Sequence, residues 1–226
     1  MNKYFLPYDV YERHKKVGSL IKNDQSVLDV GGELNHLSQF CKPKRIVVAN
    51  LKSGDVIISK NKIPFRKNSF DIVTSIDVLE HIKKSARKKF VQDSINIAVQ
   101  KVILSFPLGT KNHIQYEREM QRWLEKTGKD VEYLSEHIKY GLPSLEEIQS
   151  LCDNREVKII FSGNISINKL LFKIFMFDPK IKIIGKVIFA LKNFFNLITN
   201  PLFYQLLINK NYSSSINRAY LIIDKR

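Results

Sequence analysis

The sequence predicts a doubly wound, mostly parallel α/β sheet, and three observations predict it. Short β-branched runs recur at 26–30, 45–49, 55–59, 70–76 and 101–106. Amphipathic stretches separate them, as expected when strands alternate with crossover helices. The runs are apolar at nearly every position instead of every second one, the pattern of parallel strands covered on both faces.

With 226 residues the chain has room for one domain with a sizeable core. Hydrophobic residues at 44% and charged residues at 26% are globular values, which excludes a disordered protein. The 37 Lys and Arg against 22 Asp and Glu give a net charge of +15. Solubility needs less, so long-range attraction favours anionic partners such as acidic lipid, phosphorylated intermediates or nucleic acid. The positive charge is scattered, with no aromatic-plus-basic platform, which speaks against RNA. Cys41 and Cys152 are far apart and lack ligand spacing. They read as reduced thiols of a cytoplasmic protein, and no metal site is expected. Residues 1–16 hold no signal-peptide run, and no segment offers 18 consecutive apolar residues.

In chain order, residues 8–22 carry Val10, Val17, Leu20 and Ile21 among charges and predict a helix. The strand SVLDV at 26–30 ends in Gly31-Gly32, which allows a tight turn and close approach to a ligand, with a helix expected near 35–40. RIVVA at 45–49 and DVIIS at 55–59 predict further strands. Residues 63–82, IPFRKNSFDIVTSIDVLEHI, organise the rest. Here a buried strand runs straight into Asp77, Glu80 and His81, and ligands of open α/β sheets bind at the carboxyl ends of strands. Asp77 and Glu80 also suit the cap and first turn of a helix, and His81 suits a packed structural histidine. A basic helix is expected over 83–100 and a strand over 101–106.

The blocks VLDVGG (27–32), IPF (63–65), NSFDIV (68–73) and DVLEHI (77–82), in this order and spacing, resemble the class I S-adenosylmethionine-dependent methyltransferases. The likeness is to the type 11 group, with its LDVGxGxG and LPFxDxSFDxVxxxxVLEHV pattern, and the second block is the specific one. It implies a seven-stranded Rossmann-like sheet whose last strand, at 219–224, runs antiparallel, preceded by a strand at 157–161. It implies S-adenosylmethionine as cofactor and methyl transfer as activity. By the same resemblance Asp29, Gly31 and Gly32 line the methionine end, Asp77 flanks the methyl-bearing sulfur, Asn50 meets the ribose and Ser59 the adenine. The chain departs from the pattern at four of these positions. Glu33 and Asn35 replace the later glycines, and Asn50 and Ser59 replace acidic residues. A charge-assisted ribose contact is thereby lost.

Two insertions complete the single domain. Residues 108–143 form a substrate-side insertion, with an amphipathic helix over 113–126 ended by Gly128. Another stretch spans 130–140, and a Ser144/Glu147 capping box opens a helix through Cys152. If a hydroxyl accepts the methyl, a base must take its proton, and His113, Glu117, Glu136 and His137 are the candidates. Residues 165–211 form a basic, apolar helical insertion with Ile184, Val187, Ile188, Leu191, Phe195 and Ile198 on one face. That face suits an anionic membrane surface, a cap over the sheet or a homodimer interface, and Asn200-Pro201 is expected to break the helix. The acceptor expected is a small molecule, a sugar or a lipid-linked intermediate. The alternatives are a catalytically silent binding or scaffold protein and a nucleic-acid methyltransferase.

Overall fold

The computed structural model describes residues 2–59, 62–128, 131–152, 155–177, 179 and 181–225. Seven strands are formed: β1 (Ser26–Val30), β2 (Arg45–Asn50), β3 (Val56–Ile57), β4 (Phe70–Ile76), β5 (Ala98–Pro107), β6 (Val157–Ser162) and β7 (Arg218–Asp224). They make one sheet in the order β3-β2-β1-β4-β5-β7-β6. The first five pair in parallel, and β7 runs antiparallel to both β5 and β6. This is the predicted doubly wound sheet, with its final strand inserted antiparallel. The strand order reverses between β1 and β4, and the carboxyl ends at that switch point are where a crevice opens.

Seven helices accompany the sheet: α1 (Tyr8–Gly18), α2 (Lys84–Ile97), α3 (Lys111–Lys126), α4 (Glu132–Tyr140), α5 (Leu145–Ser150), α6 (Ile165–Met176) and α7 (Lys182–Leu207). Val91 and Ile95 of α2 and Ile148 of α5 pack with Leu28, Val73 and Leu104 on one face of the sheet. Val17 of α1 packs with Val27, Ile72 and Ile103 on the other. Alternate residues of each buried strand therefore feed two cores, which is why the strands read as continuous apolar runs. A satellite cluster joins Tyr116 and Met120 of α3, Leu134 of α4 and Ile165 of α6 over the carboxyl edge.

Some boundaries differ from expectation. No helix starts at Asp77; a single 3-10 turn, Leu79–His81, follows β4, and α2 begins only at Lys84. The helix predicted to reach residue 100 stops at Ile97, because the following residues enter β5 beside Phe70. The DVIIS run contributes only Val56–Ile57 at the sheet edge. Asp130, the first residue of the 130–140 stretch, lies outside the described residues.

Pro201 does not break α7, which continues from Lys182 to Leu207. Beside it, the buried Asn200 donates to the carbonyls of Tyr4 and Leu6 at 3.1 and 2.9 Å, holding the helix across the proline. Asn196 likewise donates to Phe5. The helix is thus attached through polar side chains, and the face for which a membrane surface, a cap over the sheet or a homodimer interface was expected is left uncovered: Ile184, Val187, Leu191, Phe195 and Ile198 are all exposed.

Candidate active site

The first corner of the site is the loop after β1. Gly31 adopts φ +82°, and a Cβ there would lie 2.2 Å from Val78 Cγ2; at Gly32 a Cβ would fall 2.0 Å from Asp29 Oδ2. Gly31 thus excludes a side chain because the residue after Asp77 packs against it, and Gly32 because the Asp29 carboxyl of β1 fills the space. Asn35 has φ 66° and keeps the left-handed turn that asparagine tolerates. Asn50 donates to the carbonyls of Gly31 and Gly32 at 3.1 and 2.8 Å, so its amide secures the loop.

Asp29 is fully buried at the end of β1. Thr74, its partner in register on β4, donates to Oδ1 at 2.9 Å, while Oδ2 has no partner among the described residues. Burial pushes the carboxyl up to about 6, a rise that the Thr74 hydroxyl partly offsets.

The second corner is Asp77, with φ 53°, a conformation that costs most non-glycine residues but is open to aspartate. Its carboxylate sits between two guanidinium groups. Arg13 of α1 donates to Oδ2 at 2.6 Å, and Arg218 of β7 donates to both oxygens. Burial alone would raise its pKa, but the two arginines outweigh it and hold the carboxyl far below the usual range. Arg13 Nε has no partner among the described residues.

The third wall is a histidine and carboxylate cluster. His137 of α4 directs Nδ1 to Glu117 of α3 at 2.8 Å, and His81 directs Nδ1 to Glu136 at 2.7 Å. The two imidazole centroids are 4.8 Å apart. Glu80 is fully buried beside them, its Oε1 3.9 Å from His137 Nε2. Both Glu80 oxygens and His137 Nε2 lack hydrogen-bond partners among the described residues. Burial, followed by the charge of Asp77, raises the Glu80 pKa well above its ordinary value. Burial lowers that of His81, with a contribution from His137.

These corners enclose one cavity of about 560 Å³, large enough for a cofactor-sized ligand. Gly31, Gly32, Asp77, His113, Glu117 and His137 line it; Asp29 lies behind the glycines, and Asn50, Ser59 and Glu136 are not in its lining. Ser59 instead forms an isolated bridge to Lys62. Of the four base candidates, Glu117 and Glu136 are engaged by the histidines, and His113 directs Nδ1 to Leu108 O at 2.9 Å. His137 keeps an unpartnered ring nitrogen. Arg13 and Arg218 were not anticipated. No sequence signal marks Arg13 among the basic residues of α1, but a charged residue opening the apolar run RAYLIID is a signal that was available. Glu80 reads from sequence as a first-turn acid, yet the turn buries it completely.

Residues 42–106 match the family described as a methyltransferase domain. A methyltransferase from Archaeoglobus fulgidus described as SAM-dependent superposes with a TM-score of 0.55 at 12% identity, covering 96% of this chain and 94% of its own. One from Thermotoga maritima gives 0.53 at 10% identity, over 99% of this chain and 92% of the other. The chain is built on the class I methyltransferase fold. A third structure, Haemonchus contortus phosphoethanolamine N-methyltransferase 2 in complex with S-adenosyl-L-methionine, gives 0.50 at 15% identity, over 93% of this chain and 50% of the other. No curated protein matches the sequence. The methyltransferase-domain match spans β2, β3, β4, α2 and all but the last residue of β5, and so includes the DVLEHI block quoted above.

The methionine end of the class I methyltransferase cofactor fits the residues present: the side-chain-free surface of Gly31 and Gly32 borders the cavity, and Arg13 Nε offers an unused donor suited to a carboxylate. At the ribose end the fit is weaker, because Asn50 spends its amide hydrogens on the loop.

Proposed function

We propose that the protein is an S-adenosylmethionine-dependent methyltransferase that works at an anionic membrane surface on a lipid-linked or otherwise amphipathic acceptor. The observation that carries this reading is the continuity of the cavity: Gly31 and Asp77 border one side, and Phe172 and Phe175 of α6 and Phe195 of α7 border the other. From there the apolar wall runs out onto the exposed faces of α6 and α7, where Leu170, Ile183, Val187, Phe189, Leu191 and Phe194 are uncovered. Apolar surface on this scale marks an interaction site. Residues 165–211 contain seven lysines and one aspartate, so the same region attracts anionic lipid. No helix of the described residues is long and apolar enough to cross a membrane, which suits a face lying on the surface.

When bound, the cofactor supplies an electrophilic methyl on a sulfonium sulfur. Gly31, Gly32 and Arg13 hold its methionine portion. An acceptor hydroxyl or amine sheds a proton as the methyl is transferred. The unpartnered polar atoms at the far end, His137 Nε2 and the Glu80 carboxylate, receive that part of the acceptor, while Tyr116, Met120 and Phe172 exclude water around it. Alignment of the two reactants in one enclosed space is then the principal source of acceleration.

Calorimetric titration with S-adenosylhomocysteine tests the cofactor half. Saturable binding that weakens at least tenfold in Arg13→Met is expected, and no heat at millimolar ligand would instead identify a silent relative. Flotation with vesicles tests the membrane half. Partitioning onto acidic but not neutral vesicles, reversed by salt, is expected, and none at low salt would leave a water-soluble acceptor.

A further inference from the structure

We propose that Glu80, His81 and His137 form a binding site for one divalent transition-metal ion at the acceptor end of the cavity. One donor atom from each residue lies within 4.8 Å of the others. Proximity alone would be weak, but two further features point to an ion. Both Glu80 oxygens and His137 Nε2 are buried without a hydrogen-bond partner among the described residues, and a buried carboxylate in that position carries a large uncompensated cost. A proton on Glu80 would remove the charge but still leave its oxygens unpaired, because the O–H would face His137 Nε2 across 3.9 Å, beyond hydrogen-bonding reach.

The second feature is how the imidazoles are held. Each directs Nδ1 to a carboxylate, His137 to Glu117 at 2.8 Å and His81 to Glu136 at 2.7 Å. A metal-bound histidine typically donates its other ring N–H in this way, which fixes the tautomer and leaves Nε2 for the ion. Here both histidines carry that support on adjoining rings, and two imidazoles with one carboxylate suit Zn²⁺, Fe²⁺ or Co²⁺ better than the all-oxygen preference of Mg²⁺ or Ca²⁺. Ligand bonds of roughly 2.1 Å place neighbouring donor atoms about 3.4 Å apart. The observed spacing therefore closes by an ångström or so, and the His81 side chain, 27% exposed, has room to turn.

Three protein ligands leave a coordination position open to the cavity, and an oxygen of the acceptor would fill it. That last step rests on the proposed methyl transfer, whereas the ion site does not.

The test uses the full chain, stripped with a chelator and titrated with Co²⁺, then challenged with Zn²⁺. One equivalent should bind, giving visible absorption bands that Zn²⁺ displaces. Glu80→Gln and His81→Ala should each weaken binding at least tenfold, and Glu136→Gln about tenfold through loss of support for His81. His36→Ala, a histidine of the opposite wall, should not change it. A partly exposed His81 keeps that variant foldable, and its circular dichroism verifies this. No saturable binding, or binding that survives both ligand substitutions, overturns the proposal. Titrating the same samples with S-adenosylhomocysteine separates the two readings: cofactor without metal sinks only the ion site, and metal without cofactor sinks only the methyl transfer.

Discussion

Arg218 grips Asp77 from across an intervening strand: β4 and β7 both flank β5, and the guanidinium at the start of β7 donates to both carboxylate oxygens beyond the end of β4. The pair is the hub of the cavity floor, since Arg13 reaches the same carboxylate from α1 and Ser105 of β5 meets Arg218 at 3.0 Å.

Breaking that hub should be costly. Arg218→Met leaves a partly buried carboxylate with one partner, and removing one member of such a pair costs roughly 3–5 kcal/mol, measurable as a shift in the urea midpoint. Asp77→Ala should be about 1 kcal/mol less stable than Asp77→Asn, because asparagine accepts the left-handed backbone and alanine does not. Equal stabilities would mean that the φ of 53° carries no strain.

The contribution of Asp29 to stability should fall as pH rises from about 4 to 6, against the rise that the buried His14, with its pKa lowered by burial to about 3, contributes over the same range. Asp29 has its folded pKa raised to about 6 by burial, so its contribution is full below the unfolded value near 3.9 and is lost as pH rises through the folded one. A shift of about two units corresponds to roughly 3 kcal/mol. Asp77 works in the opposite sense: with its pKa held far down by the arginines against burial, its contribution is full above about pH 4 and disappears only in stronger acid. In denaturation curves taken at several pH values between 4 and 6, the stability of the parent relative to Asp29→Asn should therefore fall as pH rises. A difference independent of pH would contradict the raised Asp29 pKa.

Gly31→Ala should destabilise by about 2–4 kcal/mol, combining the positive φ with overpacking against Val78. Adding Val78→Ala relieves the collision but not the backbone term, so a double-mutant cycle should show partial rescue. Full rescue would contradict the φ assignment.

Replacing Ile183 and Leu191, both largely exposed, with serine should leave the melting temperature within a degree or so of the parent. Partitioning onto acidic vesicles should drop more than tenfold, since each apolar side chain contributes about 1.5–3 kcal/mol when buried. A large fall in melting temperature would show instead that the face packs within the protein.

The sheet was legible because each strand announces itself locally: VLDV, RIVVA and FDIVTSI are apolar at consecutive positions, and the pairings follow from the alternation with helices. That Gly31 and Asp77 border a cavity, with Asp29 buried behind, was legible because a strand end with glycine or acid is a short-range pattern. Arg13 and Arg218 were not, since their role depends on two distant elements meeting over one carboxylate. The outward turn of α7 was hidden for a related reason. Its periodicity gave the helix, but apolar residues off the expected face, such as Phe189 and Phe194, are exposed as well, and the anchoring atoms belong to Asn196 and Asn200, on the side opposite that face.

The position of β7 has a consequence for how the chain is made. Because β7 lies between β5 and β6, and among the described residues β6 neighbours no other strand, a nascent chain emerging in order has no partner strand for residues 157–162, beyond the single bridge from Phe161 to Lys210, until Arg218–Asp224 leave the ribosome. The edge of β5 stays bare over the same interval, when strand pairing with other chains is a hazard. Truncation anywhere upstream of residue 218 would strip two strands from the sheet and half the clamp from Asp77 together.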